Sequence, residues 1–266
     1  MFAIPPLAAE SIFHIGSFPV TNSYINSTIA LLLFLITGFV LRRRIEEIPR
    51  GFQNFMESVL EYLLKYFDQI TGSRQKSLKF LPMVGSLFFF ILISNWMGIL
   101  PGIGSIGIWE LKHGERELIP LFRPAMTDLN LTLAMAVVGV IFSHLVGVVT
   151  IGFFRYANKF IKFGDIWNAV KTGKPMKMMI AVIEFFVGLI EVISELAKLA
   201  SLSLRLFGNI FAGEVLMTVI GGLVAFFVPL PFIALEILVG VIQAAVFSML
   251  VLVYLTVATM ELHEAH

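Results

Sequence analysis

From residue 178 to residue 228 the chain runs without a proline through Leu, Ile, Val, Phe, Ala and Met, and no other feature limits the fold as strongly. As one helix rising 1.5 Å per residue it would be about 75 Å long, against a bilayer hydrocarbon core of about 30 Å. Such a helix must incline steeply, curve or break. It also carries Glu184, Glu191, Glu195, Lys198, Arg205 and Glu214, and ionisable groups at membrane depth are costly enough that they pair or mark an ion route. Pro229 and Pro231 then make a turn, and 232–260 is a second apolar helix of about 44 Å.

The rest of the chain agrees with a membrane environment: 58% of its 266 residues are hydrophobic and 14% charged, outside the range of ordinary water-soluble domains. Three ordinary spans fit residues 23–41, 80–100 and 129–151. Between the first two, FQNFMESVLEYLLKYFDQ sets Phe55, Val59, Tyr62, Leu63, Tyr66 and Phe67 opposite Glu57, Glu61, Lys65 and Asp68, the pattern of a helix lying in the interface plane. Lys and Arg number none before the first span, eight after it, three after the second and six after the third. The positive-inside rule puts the N-terminus outside and loops 42–79 and 152–177, with the Arg42–Arg43–Arg44 run, in the cytoplasm. The expected architecture is an all-α integral membrane protein: an extracytoplasmic segment 1–22, three spans with an interfacial helix in 23–177, and a tilted helix hairpin in 178–266. A hairpin gives five crossings and a cytoplasmic C-terminus; a break near Leu199–Ser203 would give six and reverse it.

Several chemistries are excluded. There is no cysteine, and the five histidines show no metal-ligand spacing. No GxxxxGK[ST], GxGxxG or GxSxG occurs, so no nucleotide-phosphate loop or acyl-enzyme nucleophile is expected. No cofactor and no nucleic-acid partner is expected; lipid is the surrounding medium. The N-terminus has Pro5 and Pro6 where a signal peptide would be apolar helix, so it reads as mature protein.

At 100° per residue, with Glu191 at zero, Glu184 falls near +20°, Glu195 near +40°, Lys198 near −20°, Arg205 near −40° and Asn209 near 0°, while Glu214 lies near 140°. Glu236, Gln243 and Tyr254 align within about 20° on the second helix and can face that stripe. Five glutamates (184, 191, 195, 214, 236) against Lys198 and Arg205 leave three without a cationic partner, which suits proton-relay sites. Arginine keeps its charge in apolar surroundings and so cannot pass a proton, but it can force a carboxyl group brought beside it to ionise.

These segments resemble subunit a of the F-type ATP synthase, the membrane stator that faces a ring of c subunits. SLSLRLFGNIFAGE (201–214) resembles that family's most recognisable motif and IQAAVFSMLVLVYLTVA its second; SNWMGILPG (94–102) and RPAMTDLNLTLAMA (123–136) are similar to further landmarks, in the same order. The resemblance implies that Arg205 attracts the c-ring carboxylates and separates two aqueous half-channels. It implies polar partners for it at Asn209 and Gln243, an outer half-channel at Glu214 and Glu236, and a further ion-passage site at Glu191. Many members have histidine at one of the positions matched by 214 and 236; here both are glutamate. His144, Lys198 and Glu195 are not carried over. The implied partners are the c-ring, peripheral-stalk b subunits and, indirectly, the catalytic head, with nucleotide chemistry in those partners and the bacterial inner membrane as location. The rival classes are a secondary transporter, for which the expected repeated halves are absent, and a scaffold without transport.

Overall fold

The computed structural model describes residues 5–43, 45–100, 102–104, 106–112, 115–160, 175–223 and 227–260. Arg44, most of the inner loop 152–177 and the last six residues, on which expectations about the loops and the C-terminus also rested, lie outside the described residues. The protein is built from helices, as its apolar runs require. They are α1 (Asn22–Arg43), α2 (Gly51–Thr71), α3 (Arg74–Ile99), α4 (Leu129–Ile151), α5 (Phe153–Phe160), α6 (Pro175–Leu223) and α7 (Pro229–Thr259). By length and composition α1, α4, α7 and Arg74–Gly98 of α3 can each cross a membrane.

The long apolar stretch answers its own question: α6 is one helix of 49 residues with no interruption at 199–203. At about 1.5 Å per residue it is roughly 74 Å long and can lie in a bilayer only when strongly inclined. Its α-helical hydrogen bonds close within the segment, which is what hydrocarbon demands of a backbone. Pro229 opens α7, where its missing N–H costs nothing.

Helix α7 lies at the centre, against α2, α3, α4 and α6. Its Phe247, Val251, Leu252 and Leu255 meet Ile91 of α3 and Leu206 of α6 in one buried cluster. In lipid such contacts gain by close packing and by polar bonds between helices. Two of those bonds tie α3 to α7: Asn95 Nδ2 donates to the Gly240 carbonyl (3.1 Å) and Trp96 Nε1 to that of Ile237 (3.3 Å).

The amphipathic helix α2 ends on Gly72, whose left-handed φ of 66° lets its N–H reach the Asp68 carbonyl. Arg74 then bridges back to Glu61 (2.8 Å) and Asp68 (3.0 Å). The apolar face is shared out differently from the expectation. Leu63, Leu64 and Phe67 are buried in the bundle, whereas Phe55, Tyr62 and Tyr66 stay exposed on the surface available to lipid.

Two antiparallel hairpins add to the expected helices, Ser11–Ile15 with Phe18–Thr21 and Gly107–Lys112 with Glu115–Pro120. The chain leaving each hairpin is tied down where α1 and α4 begin: Asn22 Nδ2 donates to the Pro120 carbonyl (3.3 Å), and Ser23 Oγ donates to Asp128 (2.9 Å), which caps α4.

Candidate functional site

The polar groups of α6 and α7 form two clusters with an exposed arginine between them. The first cluster includes Arg123, which the sequence argument counted only among the loop charges. Arg123 precedes a turn of 3-10 helix (Ala125–Thr127), and its carbonyl accepts a 2.8 Å bond from Asn26 Nδ2 of α1. Its guanidinium is only 2% exposed. Nε lies 3.0 and 3.1 Å from the two carboxylate oxygens of Glu214, one Nη lies 3.0 Å from Oε2, and the other donates to the Ala8 carbonyl at 3.1 Å. The ring of Phe211, one turn earlier on α6, lies 5.8 Å from the guanidinium carbon.

Glu236 reaches this region from α7. Its carboxylate lies against Gly213, where any Cβ would overlap it, so the glycine next to Glu214 makes room for the second carboxylate. The Glu236 carboxylate thus meets α6 at the residue before Glu214, and Glu214 has an arginine partner of its own.

The second cluster joins α4, α5, α6 and α7. Lys198 Nζ lies 2.7 Å from Glu195 and 5.1 Å from the ring centre of Tyr254, so the α7 stripe does meet the α6 stripe here. Glu195 also approaches His144 Nε2 at 3.6 Å, and His144 Nδ1 is 2.6 Å from the Tyr156 hydroxyl. Burial, together with the negative Glu195 and Glu191, pushes the Tyr156 hydroxyl up to about 12, so it stays protonated in its hydrogen bond with Nδ1. His144, Tyr156 and Glu195 line a cavity of about 350 Å³ whose other walls are apolar.

Arg205 lies between the clusters on an outward face. It is exposed, as is Asn209 one turn on, while Leu202, Leu206 and Ile210 are buried. Its side-chain bond runs to Ser201 Oγ at 3.2 Å, and among the described residues no carboxylate is within ion-pair distance of it. Glu184, Glu191 and Gln243 are partly buried. The structure thus groups Glu214 with Glu236 and Glu195 with Lys198, and holds Arg205 and Asn209 apart from both. The expected pairing is corrected: Arg123, not Arg205, is the arginine that partners one of the five glutamates, and Lys198 and His144 both fall on Glu195. The signal that could have found Arg123 was the shortage of cations itself, since RPAMTDLN supplies a basic residue at the end of α4 nearest Glu214. Among the described residues no group of three or more His, Asp or Glu could hold a metal ion.

An unbroken helix too long for a bilayer, folded back on a second and carrying buried ion pairs beside an exposed arginine, marks a polytopic membrane protein built for ion transport. The family model described as ATP synthase A chain matches residues 24–256. The chain is 31% identical over 244 residues to ATP synthase subunit a of Moorella thermoacetica, covering 92% of this chain and 93% of that protein. It is 32% identical to the subunit of Trichlorobacter lovleyi (92% and 89% covered) and 33% to that of Campylobacter concisus (84% and 83% covered). The chain belongs to the ATP synthase subunit a family, a component of the membrane sector of that complex.

Proposed function

We propose that the protein is the ion-conducting stator of a rotary ATP synthase, passing protons through two half-channels to and from the carboxylates of a c-ring, with Arg205 as the fixed charge between them. The observation that carries this reading is the exposure of Arg205 with no carboxylate partner among the described residues. A desolvated arginine costs about 3 kcal/mol or more at the centre of a membrane helix, so an unpartnered one calls for a counter-charge from another chain. A mobile carboxyl group is neutral in lipid and ionises beside the guanidinium. Asn209 shares the exposed face, and Gln243 lies on α7 near the middle of the pathway. Glu214 and Glu236 form the outer half-channel, and Glu191 is a further site of ion passage.

The division of the chain follows: 1–22 outside, 23–177 as three spans with an interfacial helix and cytoplasmic loops, and 178–266 as the hairpin carrying the ion route. The Lys/Arg distribution supports an extracytoplasmic N-terminus and a bacterial inner membrane, and the unbroken α6, which makes five crossings with α7, supports a cytoplasmic C-terminus. The b subunits of the peripheral stalk and the catalytic head are the remaining partners, and nucleotide chemistry resides there.

The test is ion-driven ATP synthesis and passive proton leak in vesicles carrying the assembled complex, native and Arg205→Ala. Loss of synthesis with normal assembly is expected, with a rise in leak if the arginine also seals the half-channels. Synthesis at the native rate would overturn the reading.

A further inference from the structure

Glu214 follows Gly213, the residue the Glu236 carboxylate lies against, and two acids brought to one pathway need not share the same task. The surroundings of Glu214 and Glu236 differ in kind. Glu214 accepts three charge-assisted hydrogen bonds from Arg123, whose guanidinium is 2% exposed. Arginine does not release its proton at any working pH. Protonating Glu214 would therefore leave a buried cation without its counter-charge, one of the costliest changes a protein interior can undergo. Burial works against the charge of Glu214, as does the nearby acid Glu10, while Arg123 and the Thr127 hydroxyl favour it, so the state of Glu214 hangs on its arginine. Glu236, on α7, has no basic partner among the described residues; what it meets is the bare backbone at Gly213.

We propose that Arg123 keeps Glu214 a permanent carboxylate, so that the outer pathway exchanges protons at Glu236 while Glu214 serves as a fixed negative charge beside it. This rests on the outer-pathway reading above. Arg123 is a positioning residue: it acts by fixing the charge and orientation of Glu214, and the Ala8 carbonyl and the Asn26 amide fix Arg123 in turn. Two acidic groups are thereby given different tasks, one to titrate and one to remain charged.

The experiment is ATP-driven proton pumping against pH in vesicles carrying the assembled complex. Arg123→Gln and Glu214→Gln each strand a buried charge, and pumping is expected to fall at least tenfold. The double variant Arg123→Gln/Glu214→Gln removes both charges together and is expected to assemble as native does and to pump faster than either single variant, with its acid limb displaced to lower pH because the fixed charge beside Glu236 is gone. Glu236→Gln is expected to lose at least tenfold with no rescue by the double change. Arg123→Lys preserves the charge and is expected to keep the native pH profile even at a reduced rate, which decides the matter should the neutral variants not assemble. A double variant that assembles yet pumps no better than the singles, an acid limb displaced by Arg123→Lys, or native pumping by Glu236→Gln would each overturn the inference by making Glu214 an exchanging group or Glu236 dispensable. Failure of the wider reading is distinct, because it would show as native pumping in Arg205→Ala.

Discussion

Arg123 and Arg205 are both arginines at the long helix, and the protein treats them in opposite ways. Arg123 is enclosed, with two carboxylate oxygens, a backbone carbonyl and an aromatic ring around its guanidinium. Arg205 is exposed, held by a serine hydroxyl, with no carboxylate of the described chain beside it. A cation balanced inside the fold has its charge spent on structure and on the state of one neighbour. A cation left unbalanced in an apolar surface holds its field in reserve for something that arrives from outside. Identical residue types thus divide into an internal and an external role according to whether the fold supplies the counter-charge.

Substitutions should separate these roles in order of size. Arg205→Ala is expected to leave assembly intact and reduce coupled synthesis by about a hundredfold or more, on the scale of losing a preorganised charge at a reacting centre; vesicle ATP synthesis measures it. Arg123→Gln should instead be visible in stability, costing about 3–5 kcal/mol for breaking a buried pair from one side, read from denaturation of the purified complex. If Arg123→Gln were as stable as native, or Arg205→Ala unfolded the subunit, the contrast between the two would be lost. Gly213→Val would push the Glu236 carboxylate from its seat, with about 1–3 kcal/mol of overpacking and a several-fold loss of pumping; unchanged pumping would mean that the position of Glu236 does not matter.

The smallest effect is expected at the interfacial helix. Ser77 and Arg74 hold the Asp68 carboxyl below the usual carboxylate range, against the opposing pull of desolvation. A depressed carboxylate contributes stability above its unfolded value of about 3.9 and loses it as pH falls through the lower folded value. Arg74→Ala should therefore be silent in acid below that window and nearly silent at neutral pH in physiological salt, because the pair is exposed and screened. A series of thermal scans from pH 7 down into the acid range checks this.

Much of the architecture was legible in the sequence because bilayer thickness converts directly into residue counts. The three spans and the Pro229 turn each follow from a length or a proline. The hairpins Ser11–Ile15 with Phe18–Thr21 and Gly107–Lys112 with Glu115–Pro120 were not, since short strands outside the hydrocarbon leave no long apolar run. The site was half legible. A stripe at 100° per residue identifies which residues share a phase, yet the side a neighbour covers need not follow it. Leu202, Leu206 and Ile210 are buried in turn, and each step of four residues advances about 40° round the helix. The covered side thereby moves away from Arg205, which emerges on the outward face although it is in phase with Glu191 and Glu195. Arg123 was hidden for a different reason: the loop that carries it is 91 residues from Glu214, a separation at which periodicity is silent.

The unbroken course of α6 has a last consequence. Glu191 and Gly213, where the Glu236 carboxylate is seated, stand twenty-two residues apart on one rod, about 33 Å along its axis. Were the rod upright, the two points would be stacked above one another; because it leans, most of that separation lies in the plane of the membrane. Under the proposed function a charge handed between them travels sideways as it crosses, and a carrier obliged to move sideways around a fixed post experiences a torque.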